Sequence, residues 1–307
     1  MYLLSIINKQ ILKYYLLFMV LRAIPAIAQN QDSYYPIPDG EKQVFFWQNL
    51  YYEEYSIQDT IINDITYSQV VQHYTDDFYD TLLLRSNGSD LLDFDKYNNI
   101  EYVRCPLIPI VGARWTVDEK NTSYHVAGID RQLITPYASY DSLLQINYTV
   151  SMEGMSSFFS FYYKKGIGYV GATDLNGVLL SFRMPSEATL PVFPARTIGC
   201  NDRTDYTSSA YCTLNQLYIE CINNLDKDSL PAKNTTKQDI TLMLHVVATG
   251  EIGAIYSLSS YQDTKAMEKR LIQAIRKTDD LLPAIDSDLK SAEHFYIMIF
   301  NADDPID

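Results

Sequence analysis

From about Tyr34 to Met184 the chain alternates apolar and polar side chains with a period of two, and no stretch there carries an apolar stripe at helical spacing. That pattern restricts the fold more than any other feature, because a period of two places successive side chains on opposite faces of a strand. Ser142–Val150 shows it most clearly, with Leu144, Ile146, Tyr148 and Val150 alternating with Gln145, Asn147 and Thr149. Turn-prone Asn63-Asp64 interrupts a β-branched run, and Asp174-Leu175-Asn176-Gly177 separates YVGAT from VLLSF. Asn-Gly suits the positive φ angles of tight hairpins. The sequence therefore predicts an N-terminal all-β antiparallel barrel or sandwich over residues 29–184. Tyrosine, 26 of 307 residues, is strand-building material on this reading, since aromatics favour a pleated, half-buried surface.

The pattern breaks at 185–213. Pro185, Pro191 and Pro194 come close together, followed by the polar stretch Asn201–Ser209, so this segment reads as a linker. Beyond it the periodicity changes. Leu217–Leu225 is a short helix or strand. Ile240, Leu242, Leu244 and Val246 line one strand face, Thr249-Gly250-Glu251 turns, and Ile252–Leu258 returns. Met267, Leu271, Ala274, Ile275 and Thr278 recur at three- and four-residue steps, an amphipathic helix capped by Asp263 or Thr264. Phe295–Phe300 closes as a strand. The expectation is a second, small α+β domain over 214–307.

Composition bounds the partners. With 38 acidic and 24 basic residues the net charge is −14, which excludes nucleic acid, whose phosphates require basic clusters. A hydrophobic content of 47% and a charged content of 20% exclude disorder, collagen-like repeats and a coiled coil. Residues 1–28 carry Lys9, Lys13 and Arg22, no acid, an apolar run from Tyr14 to Leu21, and Ala26-Ile27-Ala28 before Gln29. That is the layout of a secretory signal peptide, and it predicts export to the periplasm, to the outer membrane or beyond the cell. The four cysteines Cys105, Cys200, Cys212 and Cys221 are then disulfide candidates in an oxidising compartment, with three connectivities open.

The C-terminal stretch from about Leu214 to Asn301 resembles the C-terminal domain of TonB-type energy transducers. The resemblance rests on LYIECINNL, DITLMLHVVATGEIGAI, AMEKRLIQAIRK, LLPAIDSDLK and FYIMIF in that order. Val246-Val247, Gly250, Ile252, Pro283 and Ala284 stand at positions of the family pattern, while Leu281 stands where tryptophan is usual. The resemblance implies a domain that contacts an envelope protein by adding an extended peptide to a sheet edge. Phe295, Tyr296, Ile297, Met298, Ile299 and Phe300 are the candidate contact strand. More weakly, DTIINDITYSQVV (59–71), LLDFD (91–95), GARWTV (112–117) and YYKKGIGYVG (162–171) resemble secreted β-rich proteins of Bacteroidetes-type bacteria.

Catalytic signatures are missing from the sequence. His73, His125, His245 and His294 are scattered singly, and no H-E-x-x-H, G-x-S-x-G, Walker A or G-x-G-x-x-G motif occurs. Asp93, Asp95 and Asn98 lack the spacing and central glycine of an EF-hand, and the acidic pairs Glu53–Glu54 and Asp76–Asp77 have no fixed separation. No catalytic residue, metal ligand or cofactor is expected. The aromatic groups Tyr34-Tyr35, Phe45-Phe46-Trp47, Tyr51-Tyr52 and Phe161-Tyr162-Tyr163 either build strands or line a pocket that stacks on sugars. The expected function is a non-enzymatic, exported envelope binding protein. The alternative is a lipocalin-like carrier of a small hydrophobic ligand or glycan in the β domain.

Overall fold

In a computed structural model of the protein, the described residues are 33–38, 40–117, 121–152, 155–225, 239–258, 264–278 and 280–300. The predicted signal segment 1–28 and the alternative cap Asp263 lie outside them. Twelve strands run in succession: β1 (Gln43–Trp47), β2 (Leu50–Ile62), β3 (Ile65–Tyr74), β4 (Tyr79–Ser86), β5 (Asp90–Asp95), β6 (Ile100–Pro106), β7 (Arg114–Val117), β8 (Thr122–Ile134), β9 (Ser139–Met152), β10 (Met155–Lys164), β11 (Gly168–Asp174) and β12 (Leu179–Arg183). Their order in the sheet is β6-β5-β4-β3-β2-β1-β12-β11-β10-β9-β8-β7, antiparallel throughout. Apart from the β1–β12 pair that joins the two ends of the run, every neighbour in space is a neighbour in sequence. The result is a nearly closed up-and-down barrel, which decides between the two predicted architectures. Its seam lies between β6 and β7, where the Trp115 indole N–H donates to the Val103 carbonyl at 2.8 Å.

Turn chemistry sets the register. Asn63 and Asp64 both have positive φ, 50° and 63°, and Ile62 pairs with Ile65 across them. A two-residue loop with both central residues at positive φ matches the twist of the flanking strands. Gln48 and Asn49 do the same between β1 and β2, at 46° and 72°.

Alternation divides each strand between two faces. On β1, Phe45 and Trp47 point into the barrel, whereas Val44 and Phe46 point out. The outer face is covered by the C-terminal elements: β13 (Pro191–Phe193), a single 3-10 turn at Ile198–Cys200, α1 (Tyr206–Asn224), β14 (Ile240–Val246), β15 (Ile252–Ser257), α2 (Lys265–Ile275), β16 (Ala284–Asp286), β17 (Ser291–Ala292) and β18 (His294–Phe300). They add two small sheets, β13-β16-β17 and β15-β14-β18. One continuous apolar core joins Phe46, Tyr51, Leu143 and Phe182 of the barrel to Leu217 of α1, Leu244 of β14, Leu271 of α2 and Phe295 of β18.

The segment expected to be a linker, 185–213, is built into this assembly. Pro191–Phe193 pairs with β16, Arg196 exchanges backbone hydrogen bonds with Leu282, and α1 already starts at Tyr206. The ambiguous Leu217–Leu225 forms the end of that 19-residue helix, whose N-cap Asp205 accepts from the Ser208 N–H at 2.8 Å. Thr264 holds the N-cap position of α2. Gly250 turns at φ +96° against Leu281, and a Cβ there would lie 1.9 Å from the Leu281 carbonyl oxygen. Close backbone approach, not sequence convention, therefore demands glycine at this point of the hairpin.

Of the four disulfide candidates, Cys200 and Cys212 are bonded, tying the 3-10 turn to α1. Cys105 and Cys221 are free and buried, one in the barrel interior and the other on α1 in the shared core. Burial pushes both thiols up to about 12. No helix among the described residues is long and apolar enough to cross a membrane.

Candidate functional site

The inward face of the barrel carries a band of aromatic rings, close to one per strand. Trp115 on β7 stacks on Tyr124 of β8 with centroids 5.1 Å apart, and Tyr124 meets Tyr148 of β9 at 5.1 Å. Tyr148 meets Phe161 of β10 at 5.7 Å, Phe161 meets Tyr169 of β11 at 6.0 Å, and Tyr169 meets Phe45 of β1 at 5.5 Å. Phe45 stacks on Tyr52 of β2 at 5.0 Å, and Tyr52 meets Tyr74 of β3 at 5.0 Å. The band follows the register, in which Trp115–Tyr124, Tyr124–Tyr148, Phe45–Tyr52 and Tyr52–Tyr74 are direct cross-strand partners.

Within this band lies a cavity of about 190 Å³ lined by Tyr35, Trp47, Tyr52, Tyr74, Phe161, Tyr163 and Tyr169, with Glu54, Gln72 and Arg104 as its polar members. Each polar residue is in phase with an aromatic: Glu54 with Tyr52, Gln72 with Tyr74, Arg104 with Tyr102. Gln72 Nε2 donates to Glu54 Oε2 at 2.8 Å, and Arg104 Nη1 donates to Asp93 Oδ2 at 3.0 Å, which also accepts from the Tyr102 hydroxyl at 2.8 Å. Arg104 also sits over the Tyr35 ring, 5.6 Å from its centroid. Burial pushes the Glu54 carboxyl above the ordinary carboxylate range, against the opposing pull of the Gln72 hydrogen bond and the Arg104 charge. Burial likewise raises the Tyr52, Tyr163 and Tyr169 hydroxyls, so these rings stay neutral. Two other hollows are larger. One of about 410 Å³ lies by Trp115, Tyr124, Tyr148 and Phe159, and one of about 450 Å³ lies between Tyr74–Asp77, Leu190–Phe193 and Thr204–Thr207. Phe159 of the first hollow and Trp47 of the smaller cavity are ring neighbours, with centroids 6.3 Å apart.

No family model matches the chain, and no curated protein matches it. Among solved structures it is similar to a Bacteroides fragilis protein described as exported and as having a YmcC-like fold. The two are 12% identical with a TM-score of 0.29, over 50% of this chain and 97% of that one.

The predicted contact strand Phe295–Phe300 lies in β18, an edge strand paired on one side with β14. Phe295, Tyr296, Ile297, Met298 and Phe300 are buried, and Ile299 alone of the six is exposed. The other side of β18 faces the barrel. The Asn49 carboxamide accepts from the Ile297 N–H at 2.6 Å and donates to the Ile297 carbonyl at 3.3 Å, while the Tyr51 hydroxyl accepts from the Phe295 N–H at 2.6 Å. Two barrel side chains thus occupy the places that an added strand would fill.

The remaining sequence candidates disperse. His73 contacts Glu53 at 3.3 Å and stacks on Tyr79, and His245 contacts Glu293 at 3.2 Å and stacks on Phe295. His294 is fully buried among Tyr51, Tyr206 and Tyr296, and burial pushes its pKa down to about 3. Asp93 turns to Arg104, while Asp95 accepts from the Tyr97 and Asn98 N–H groups in a turn, so the two do not converge. No group of three or more metal-ligating side chains occurs among the described residues. The aromatic groups noted in the sequence split between the faces, Phe45, Trp47, Tyr52, Phe161 and Tyr163 inward and Phe46, Tyr51 and Tyr162 outward. Glu54, Gln72 and Arg104 went unrecognised as a set. Their signal was polar residues in phase with aromatic neighbours on the same strand.

Proposed function

We propose that this is an exported, non-enzymatic binding protein that carries a small ligand inside its barrel. The observation that supports it is the cavity itself: convergent aromatic walls with a few fixed polar groups, the composition of small-molecule sites. The hydrogen bonds from Gln72 and Arg104 hold the polar groups in place. Export rests on the N-terminal charge and apolar pattern together with the Cys200–Cys212 disulfide, which suits an oxidising compartment.

Contact with an envelope protein through a TonB-like C-terminal region is the second reading. The order hairpin, helix, strand in β14–β18 favours it. On β18, however, β-augmentation requires Asn49 and Tyr51 to let go of Ile297 and Phe295. Titration calorimetry of the full chain against a panel of small sugars, amines and aromatic acids tests the carrier reading. Saturable binding that weakens when Tyr169 is replaced by leucine is expected. A panel that gives no saturable heat sinks the reading.

A further inference from the structure

Glu54 and Arg104 line the barrel cavity, with Asp93 behind Arg104 and the Arg183 guanidinium also within electrostatic reach of Glu54. Asp93 takes the Arg104 charge directly at 3.0 Å. Glu54, 6% exposed, receives hydrogen bonds from the neutral Gln72 amide and the Tyr35 hydroxyl, and it feels the Arg104 and Arg183 charges at longer range without a direct ion pair to either. Its sequence neighbour Glu53 faces the other way and takes Lys42 at 2.7 Å. A carboxylate withdrawn from water without a matched cation is costly, and it settles by holding a proton or by gaining a cation. Around it stand Trp47, Tyr52, Tyr74, Phe161, Tyr163 and Tyr169, whose π-faces attract positive charge.

We propose that the cavity is a receptor for a small organic cation, an alkyl- or quaternary ammonium, with Glu54 as its counter-ion and the surrounding aromatic rings as its cage. This rests on the carrier reading above and names its ligand class. Size favours it: 190 Å³ has room for about six waters, hence a ligand of about six to eight non-hydrogen atoms. A sugar ring, with about twelve by the same measure, would have to protrude from the mouth. Arg104 argues for an anion only in isolation. Its Nε has no hydrogen-bond partner, yet an anion drawn there would add a third negative charge to Asp93 and Glu54.

The experiment is titration calorimetry of the full chain with tetramethylammonium, choline, the neutral isostere 3,3-dimethylbutan-1-ol, and glucose. Binding of the cations is expected, with the isostere weaker by about tenfold, the size of a desolvated cation–π and ion-pair contribution. Glu54→Gln is expected to weaken the cations by about tenfold without lowering the melting temperature, and Trp47→Leu to weaken them through the opposite wall. Isostere or glucose binding as tightly as the cations, or a Glu54→Gln protein that still binds cations with wild-type affinity, overturns the cation assignment and leaves the carrier reading standing. Silence from all four, together with silence from the broader panel, overturns both.

Discussion

The same strands build two unlike surfaces. On the outer face of β1, Phe46 is fully buried, and its ring meets Tyr51, Phe182 and Phe295 with centroids 5.1–6.0 Å apart. One residue away on the inner face, Phe45 and Trp47 belong to a ring band that borders a hollow. Chemically the two faces are equally aromatic. What separates them is coverage: the outer face is filled by α1, β14 and β18, whereas inside the barrel Val70, Leu84, Val126 and Leu144 pack into a cluster that fills only part of the space and leaves the hollow beside the rings. Aromatic content alone therefore does not distinguish core from site; the space left unfilled beside the rings does.

That contrast is open to attack at several points. Replacing Phe46 with alanine leaves a cavity between barrel and β18, and urea denaturation is expected to show a loss of about 3–5 kcal/mol. A smaller loss than that of Tyr74→Ala on the inner face would reverse the assignment of filled and hollow sides. Acid attacks the outer face through His294, which is held near pKa 3 when folded and has an ordinary value of 6.5. The unfolded chain takes up this proton first, so stability falls as pH drops from 6.5 towards 3, by about 1.4 kcal/mol per unit for this group. Denaturation at pH 7 and pH 5 should show the slope, and His294→Leu should flatten it.

Asn49→Gly keeps the turn's positive φ but removes both hydrogen bonds to Ile297, at an expected cost of about 1–2 kcal/mol. Faster amide exchange at Ile297 is the matching readout; unchanged exchange would mean that the barrel does not seal β18. The smallest effect carries the opposite sign. Glu54→Gln relieves a buried carboxylate on the hollow side and should raise the stability of the empty protein at pH 7 by about 1 kcal/mol or less. A loss there would show that the carboxylate is already matched.

The sequence made the strands legible because one period ran through them, and Asn63-Asp64 located a two-residue turn. Closure was not legible, since barrel and sandwich strands alternate alike and the seam is bridged by a side-chain hydrogen bond from Trp115 that no strand pattern announces. Helix α1 escaped for a different reason. Its buried face is Ser209, Ala210, Thr213, Leu217 and Cys221, spaced as a helix but too small and polar to register as an apolar stripe. Within the stretch expected as a linker, 185–213, Pro191 opens β13 and Tyr206 opens α1, neither of which the proline spacing announces. The site was half legible. Tyr52 and Phe161 stood out, but Glu54 and Arg104 lie on strands β2 and β6, at opposite sides of one half of the barrel wall, and only closure brings them to one cavity.

Both tryptophans of the chain, Trp47 and Trp115, stand at inward positions, one against Phe161 and the other stacked on Tyr124. Light absorbed by the tyrosines of the band thus has two nearby acceptors, and the emission of the whole protein reports on the barrel interior. A molecule entering beside Trp47 would change the colour and yield of that emission, whereas rearrangement of the outer layer would leave it largely dark. The protein carries its own optical gauge of occupancy, and it needs no added dye.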